Sequence, residues 1–487
     1  MTTPGGGGPK QSAPETICVD LDGTLVRTDT LVEGVLRLLR DPGNWARLPG
    51  WILRGRAAFK RQVMARTPLD ATLLPYEHSL IDYLEAQRAR GRRLVLATAA
   101  DRDVADRVNA HLKLFDEVIA SDGVRNLKGR AKGEALAERF GAGKFTYVGN
   151  SRPDLHIWRR AGSAVVVNAP DRLANQVAKI TALEHRIDGR PARFLSLLKA
   201  LRPHQWLKNV LVLLPILMAN ALRDGRAWLD ASVMFLAFCA TASAIYMVND
   251  LTDLEADRCH PRKRRRPFAS GDLPVTAGIV VAPLLLVVGV ALGLAIGTAA
   301  VIVAYAVSSL AYSLRLKELP LVDIFTLAFL YTLRLYGGGE ASGYRLSPWL
   351  LAFSIFLFLG LSTIKRVGEL MDIKRNARQA TGRRGYQTDD IGILQTMGVG
   401  ASFVSVTVLA LFIQSTSVAA RYTHPEYLWL AVPLLLFWQC RLWLATARGY
   451  MHDDPIVYAA RDRVSWLTAA AVIVIFTLAR GFDSRVG

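Results

Sequence analysis

Residues Asn249 to Asp257 read Asn-Asp-Leu-Thr-Asp-Leu-Glu-Ala-Asp. Asp250, Asp253 and Asp257 recur at i, i+3 and i+7, the spacing that puts side chains on one face of a helix. They follow directly on an apolar run, Trp228 to Val248, long enough to cross a bilayer. Three like charges at the mouth of a membrane helix repel one another and resist desolvation, so the pattern makes sense when a divalent cation neutralises them. Oxygen donors alone, with Asn249 as a fourth, suit Mg²⁺ holding the diphosphate of a substrate. The competing reading is a solvated acidic loop. A second constellation stands near the N-terminus, where Ile17-Cys-Val-Asp-Leu-Asp-Gly-Thr-Leu25 is an apolar strand running into two acids. Residues two apart on a strand point the same way, so Asp20 and Asp22 leave the strand end together. Gly23 permits the tight turn that follows.

The elements that must carry these acids belong to two different solvents, and the chain changes character near Arg190. Before it, Thr16 to Val19, Leu94 to Ala97, Phe145 to Val148 and Ala164 to Val167 read as buried strands of a parallel sheet separated by helical patterns, an α/β signature. Asp29 to Gln87 is a helix-rich insertion holding Trp45, Trp51 and the basic stretch Arg54 to Arg66, and reads as a cap over the sheet edge. After Arg190, apolar segments fall near 207–222, 229–248, 275–296, 298–313, 321–338, 348–364, 397–416, 427–445 and 464–480, about nine transmembrane helices. Alternate loops are basic. One carries Arg258 and Arg262 to Arg266, another Arg315 and Lys317. A third carries Lys365, Arg366, Lys374, Arg375, Arg378, Arg383 and Arg384, and a fourth Arg441, Arg448, Arg461 and Arg463. The intervening loops offer few cations, such as Arg345 and Arg421. The alternation predicts a cytosolic N-terminus and a cytosolic acidic stretch in an inner-membrane protein.

Composition agrees. The chain has 487 residues, 51% of them hydrophobic, and a net charge of +19, with a mean hydropathy of +0.23. That is too apolar for an ordinary soluble protein and too long for one domain. With so much of the charge beside membrane segments, the excess favours lipid and phosphate over nucleic acid. The four cysteines, Cys18, Cys239, Cys259 and Cys440, form no metal or disulfide spacing. Residues 1–15 are Gly- and Pro-rich without an apolar core and read as a disordered tail, not a signal peptide. The expected domains are therefore 16–185, with the cap at about 29–90, and 186–487.

The membrane half resembles the UbiA superfamily of intramembrane prenyltransferases, and within it the decaprenyl-phosphate phosphoribosyltransferase branch. The strings that carry the resemblance are Leu-Arg-Pro-His-Gln-Trp-Leu-Lys-Asn-Val from Leu201, Tyr-Met-Val-Asn-Asp from Tyr246, Asp-Arg-Cys-His-Pro-Arg-Lys-Arg from Asp257, Lys-Arg-Val-Gly-Glu-Leu from Lys365 and Arg-Asp-Arg-Val from Arg461. The resemblance implies transfer of 5-phosphoribose from phosphoribosyl pyrophosphate to polyprenyl phosphate, with Mg²⁺ on Asn249, Asp250, Asp253 and Asp257. It implies substrate binding by Arg202, Gln205, Lys208, Asn209, Tyr246, Arg258, Lys263, Arg264, Lys317, Asp323, Arg334, Lys365 and Arg366. For most of these cations positive-inside topology is the competing explanation. Ordinary members carry a second acidic motif; here Tyr312-Ser-Leu-Arg-Leu-Lys is followed by the single Asp323. The donor loop of soluble phosphoribosyltransferases is absent, so the likeness is to the membrane branch only.

The N-terminal half resembles the haloacid dehalogenase superfamily of phosphohydrolases, a Rossmann-like α/β domain with a helical cap. The resemblance implies Asp20 as nucleophile, Asp22 as general acid and base, Thr98 binding a phosphoryl oxygen, and Lys128 neutralising charge with Lys132 as its competitor. Asp20, Asp22, Asn150 and Asp154 are the implied Mg²⁺ set. Asn150, in Val148-Gly-Asn-Ser-Arg-Pro-Asp154, stands where the family has a carboxylate. An amide oxygen can ligate Mg²⁺ but brings less charge. The combined expectation is a bifunctional membrane enzyme making polyprenyl-phosphoryl ribose for envelope glycan synthesis. The alternative is a prenyltransferase joining a polyprenyl diphosphate to an aromatic acceptor, with an inactive or regulatory soluble domain. Partners expected are the polyprenyl phosphate, the pyrophosphate donor and the bilayer, with no nucleic acid; a homo-oligomer stays open.

Overall fold

The computed structural model describes residues 14–122, 124–219, 221–375, 385–419, 422–451 and 454–480. Most of the N-terminal tail, together with Arg378, Arg383, Arg384 and Arg421, lies outside them. The chain packs as two compact units. One joins residues 1–201 to 247–281; the other joins 202–246 to 282–487. The first unit therefore includes the acidic stretch as well as the soluble half.

The soluble half holds a six-stranded, wholly parallel sheet. Its strands are β1 (Thr16–Val19), β2 (Arg93–Asp101), β3 (Glu117–Ser121), β4 (Phe145–Gly149), β5 (Ser163–Val167) and β6 (Ala182–Ile187), in spatial order β3-β2-β1-β4-β5-β6. The four apolar runs named above are β1, β2, β4 and β5, the central strands. The edge strands β3 and β6 escape the sequence pattern, since an edge strand such as Ala-Leu-Glu-His-Arg-Ile carries polar, exposed residues. Period-2 alternation divides β1 between two cores. Ile17 and Val19 pack with Leu80, Leu84 and Val104 on one face, and Cys18 packs with Tyr147, Ile157 and Trp158 on the other. The insertion after β1 forms helix α1 (Thr30–Leu39), a short helix Leu48–Leu53 and the helix Arg56–Arg66. Asp29 caps α1 by accepting from the Val32 amide at 3.0 Å.

Helical structure falls in every one of the nine apolar segments. Among the described residues, six helices are long and apolar enough to cross a membrane: Gly225–Thr252, Val275–Ala295, Pro348–Arg375, Thr388–Ile413, Pro425–Ala447 and Arg463–Arg480. Ala299–Leu314 is apolar but shorter. Val275–Ala295 and Arg463–Arg480 bury only 22% and 17% of their most apolar windows, so their outward surface is hydrocarbon in character and calls for lipid. The segment near 207–222 is not one regular helix. It runs as a 3₁₀ stretch, Pro203–Leu213, then a short helix, Leu214–Ala219. Its backbone lies so close to the helix Val322–Ser342 that a Cβ on Gly338 would stand 2.0 Å from the Val212 carbonyl oxygen. Gly338→Ala is accordingly expected to lower the thermal unfolding midpoint of the detergent-solubilised protein, at a cost of about 1–3 kcal/mol for overpacking. Gly400→Ala, where a Cβ meets nothing within 4 Å, should leave the midpoint unchanged or raise it.

Candidate functional site

β1 ends at Val19, and the Asp20 amide continues its pairing by donating to the Val148 carbonyl at 3.0 Å. That leaves Asp20 at the sheet's C-terminal edge, where its Oδ1 accepts from Lys132 Nζ at 2.7 Å and from the Leu21 amide at 3.0 Å. Lys132 Nζ also donates to the Tyr147 hydroxyl at 3.0 Å, and that hydroxyl donates to Asp154 Oδ1 at 3.2 Å. Lys132 is 2% exposed, in the first turn of the helix Arg130–Phe140. Lys128 sits in the preceding loop, exposed, so the lysine on Asp20 is Lys132 and not Lys128. The helix decides between them: it lays Lys132 over the strand end, whereas the turn at Gly129, with φ of +56°, leaves Lys128 outside.

Burial raises the Asp20 carboxyl, opposed by Lys132 and reinforced by Asp154. Burial, then Asp29, pushes the Asp22 carboxyl up to about 7. Asp22 Oδ1 accepts from the Thr30 amide at 2.9 Å, the first residue of α1. Thr98 is fully buried in β2, its hydroxyl accepting from the Ala100 amide at 3.0 Å. Asn150 packs on Gly23 and donates Nδ2 to the Gly23 carbonyl at 2.8 Å, a bond that an ionised aspartate could not make. Asp154 Oδ2 accepts from the Asn150 and Ser151 amides and from the Ser151 hydroxyl. Of the proposed metal set, Asp20, Asp22 and Asp154 are carboxylates and Asn150 an amide, and Lys132 on Asp20 supplies a cation from the chain itself. Lys60, from the cap, was not singled out in the sequence. Its Nζ donates to the Ala99 carbonyl at 2.7 Å and to Asn126 Oδ1 at 3.0 Å, and the charge of Asp22 acts on it.

The acidic stretch straddles a helix break. The helix Gly225–Thr252 ends before Asp253, and a second helix runs Leu254–Cys259. The amides of Asp253 and Asp257 still bond to the carbonyls four residues back, at 2.9 and 2.8 Å, so the shared face survives the break. Asp250 and Asp257 are each 2% exposed and converge on one nitrogen, Arg266 Nη1, at 3.1 and 2.7 Å. The Asn249 side-chain oxygen beside them is buried without a hydrogen-bond partner. Buried carboxylates already gathered on a cation, with a spare oxygen acceptor at hand, fit a bound cation. Among the described residues no three His, Cys, Asp or Glu side chains stand together as a closed metal cluster. Arg266 is the addition that sequence reading passed over inside its basic run. Arg258 does not point to open solvent for a phosphate. It lies in a buried ion pair with Glu33 and donates Nε to the Ala269 carbonyl at 3.1 Å. Lys263 and Arg264 are exposed, as topology alone would have them.

In the second unit Lys208 and Lys365 meet on one carboxylate, donating to Asp454 Oδ2 at 2.7 and 3.3 Å. The Tyr331 hydroxyl donates to the same group at 3.1 Å. Burial works against the Asp454 anion, but the two lysines outweigh it and hold the carboxyl below the usual range. Asp454 was missed; the signal available was an Asp directly before Pro455, and it does cap the helix Pro455–Arg461 through the Ile456 amide. The Arg202 guanidinium lies 5.2 Å over the Tyr246 ring, with Gln205 half-buried one turn on. Arg334 is committed inside the protein, donating to Asn209 Oδ1, the Leu330 carbonyl and the Tyr305 hydroxyl at 2.6–2.8 Å. That bonding makes Arg334 and Asn209 a structural bridge rather than open substrate donors. Asp323 is wholly buried and paired with Arg366, and it accepts from the Tyr386 hydroxyl. Lys317 is half-buried at the end of its loop.

A model of the UbiA prenyltransferase family matches residues 212–459, half of the chain. The chain belongs to the UbiA prenyltransferase family. Uncharacterized protein y4nM of Sinorhizobium fredii is 35% identical over 469 residues, spanning 95% of this chain and 90% of that protein, so it shares both halves. Nodulation protein NoeC of Azorhizobium caulinodans is 33% identical over 294 residues, 59% of this chain and 92% of its own. Decaprenyl-phosphate phosphoribosyltransferase of Corynebacterium glutamicum is 38% identical over 234 residues, 46% of this chain and 70% of its own. Family and apolar helices together make this UbiA protein an integral membrane protein of a transferase family.

Removing the Lys132 charge would leave Asp20 and Asp154 facing each other without a cation. Lys132→Met is expected to destabilise the soluble half by roughly 3 kcal/mol near neutral pH, the cost of orphaning a buried partner. The penalty should shrink as pH falls and Asp20 takes up a proton instead. Lys128→Met should do neither, as chemical denaturation at two pH values would register.

Proposed function

We propose that this protein makes a polyprenyl-phosphoryl pentose in two steps at the cytosolic face of the inner membrane. In the first, an oxygen of polyprenyl phosphate bonds to C1 of phosphoribosyl pyrophosphate. The bond from C1 to the diphosphate oxygen breaks, and diphosphate leaves. The observation that carries this reading is the 38% identity to a decaprenyl-phosphate phosphoribosyltransferase. The Asp323–Arg366 pair supports it: the one acid left in the second motif already has its countercharge from the chain, so a single metal set remains. Mg²⁺ on Asn249, Asp250, Asp253 and Asp257 would neutralise the leaving diphosphate. Lys208 and Lys365, sharing one carboxylate, keep one net positive charge for phosphate oxygens. Arg202 and Gln205 are further donors to the substrate.

In the second step the soluble domain, residues 16–185, removes the 5-phosphate. Asp20 attacks phosphorus, and the phosphorus–ribose oxygen bond breaks as Asp22 gives that oxygen its proton. Asp22 then takes a proton from water, which releases phosphate and restores Asp20. Lys132 offsets the charge on the transferring group, and Thr98 lies at the same edge. With its carboxyl pushed up to about 7, a substantial share of Asp22 carries a proton at neutral pH, as a general acid must. Above that pH the acid is lost, so kcat/KM for ester hydrolysis should fall as pH rises through about 7. Fusing the domains raises the second site's supply of its lipid substrate.

Membranes given labelled phosphoribosyl pyrophosphate and polyprenyl phosphate should yield a labelled lipid, and Asp250→Asn should reduce the yield at least about 100-fold, as expected for loss of a metal ligand. Label entering only from polyprenyl diphosphate with an aromatic acid would instead make the protein an ordinary prenyltransferase. Asp20→Asn should preserve transfer while the 5-phosphorylated lipid accumulates, read by mass spectrometry of extracted lipids. Identical lipids from wild type and Asp20→Asn would remove the second step.

A further inference from the structure

The soluble domain and the acidic stretch belong to one compact unit, and ion pairs join them. The Arg258 guanidinium grips the Glu33 carboxylate with both terminal nitrogens, at 2.9 and 2.5 Å, and the side chains are 5% and 2% exposed. Glu33 Oε1 also accepts from the Thr28 hydroxyl at 2.6 Å. Arg37 pairs with Glu255, and Arg27 with Asp272 at 3.2 Å. Glu33 and Arg37 are on α1, and the first amide of α1, that of Thr30, holds Asp22 at 2.9 Å. Thr28 also accepts, through its carbonyl, from the Gly23 amide at 3.0 Å, so both ends of the Asp22 turn rest on residues tied to Glu33. Arg258 directly follows Asp257, whose carboxylate meets Arg266.

We propose that Arg258 is a positioning residue for the phosphatase centre: through Glu33 it fixes α1 and thereby the orientation of Asp22. The idea rests on the reading of the soluble half as a phosphatase. A bidentate, buried pair fixes direction as well as distance, which a single surface contact does not. Asp257 and Arg258 are neighbours on a six-residue helix, so the bar that steadies Asp22 is anchored beside the acidic stretch. Loosening α1 frees Asp22 Oδ1 from the Thr30 amide, so the carboxyl loses the bond that aims it.

The test uses the full-length protein in detergent with ribose 5-phosphate, following released phosphate from pH 5 to 9, with Asp20→Asn as the inactive reference. Glu33→Gln, nearly isosteric and still able to bond Thr28, and Arg258→Lys, which keeps charge but loses the fork, are each measured beside wild type. Both should lower kcat at least about tenfold with KM little changed. Thermal unfolding of each variant identifies any loss that is merely of fold, and kcat is taken per folded protein. If both variants keep the wild-type kcat, Arg258 does not position Asp22. If wild type releases no more phosphate than Asp20→Asn, the phosphatase reading itself fails and the proposal falls with it.

Discussion

A carboxylate taken out of water must meet a cation or give up its charge, and this chain meets that demand again and again. Lys132 answers Asp20, Arg266 answers Asp250 and Asp257, Arg366 answers Asp323, and two lysines answer Asp454. Each pairing costs desolvation that the Coulomb attraction barely repays, so such pairs are poor devices for stability alone. On the proposed function they hold charge in place for a phosphorylated substrate. The +19 net charge has the same logic: phosphate chemistry beside a membrane favours an excess of fixed cations.

The two centres solve this in different ways. At the strand end the chain supplies a resident cation, and Asn150 has given up a carboxylate for an amide that bonds back to the Gly23 turn. At the acidic stretch two carboxylates share one arginine nitrogen while an amide oxygen is left without a bond. That arrangement has capacity for a stronger cation, and the 27% exposure of Arg266 leaves it room to move aside.

The ion pairs between α1 and the helix Leu254–Cys259 add a mechanical element. A buried bidentate pair is directional and intolerant of small shifts, which suits it to carry a displacement from one acid cluster to another.

Sequence by itself determined what depends on local pattern. Apolar runs of about 20 residues announced the membrane half, and buried parallel strands announced the sheet, because burial on both faces forces continuous hydrophobicity. The spacings of Asp20 with Asp22 and of Asp250, Asp253 and Asp257 fixed which acids share a side, because strand and helix periods are set by the backbone. Only tertiary structure decided which cation serves which acid. Lys128 and Lys132 are equivalent in sequence, and the helix start at Arg130 separates them. Asp454 lies 246 residues from Lys208 along the chain yet 2.7 Å away in space. Arg258 looks like one more cytosolic arginine until Glu33, 225 residues earlier, is found on it. Charges pair by proximity through the fold, and no local periodicity encodes a contact between residues so far apart.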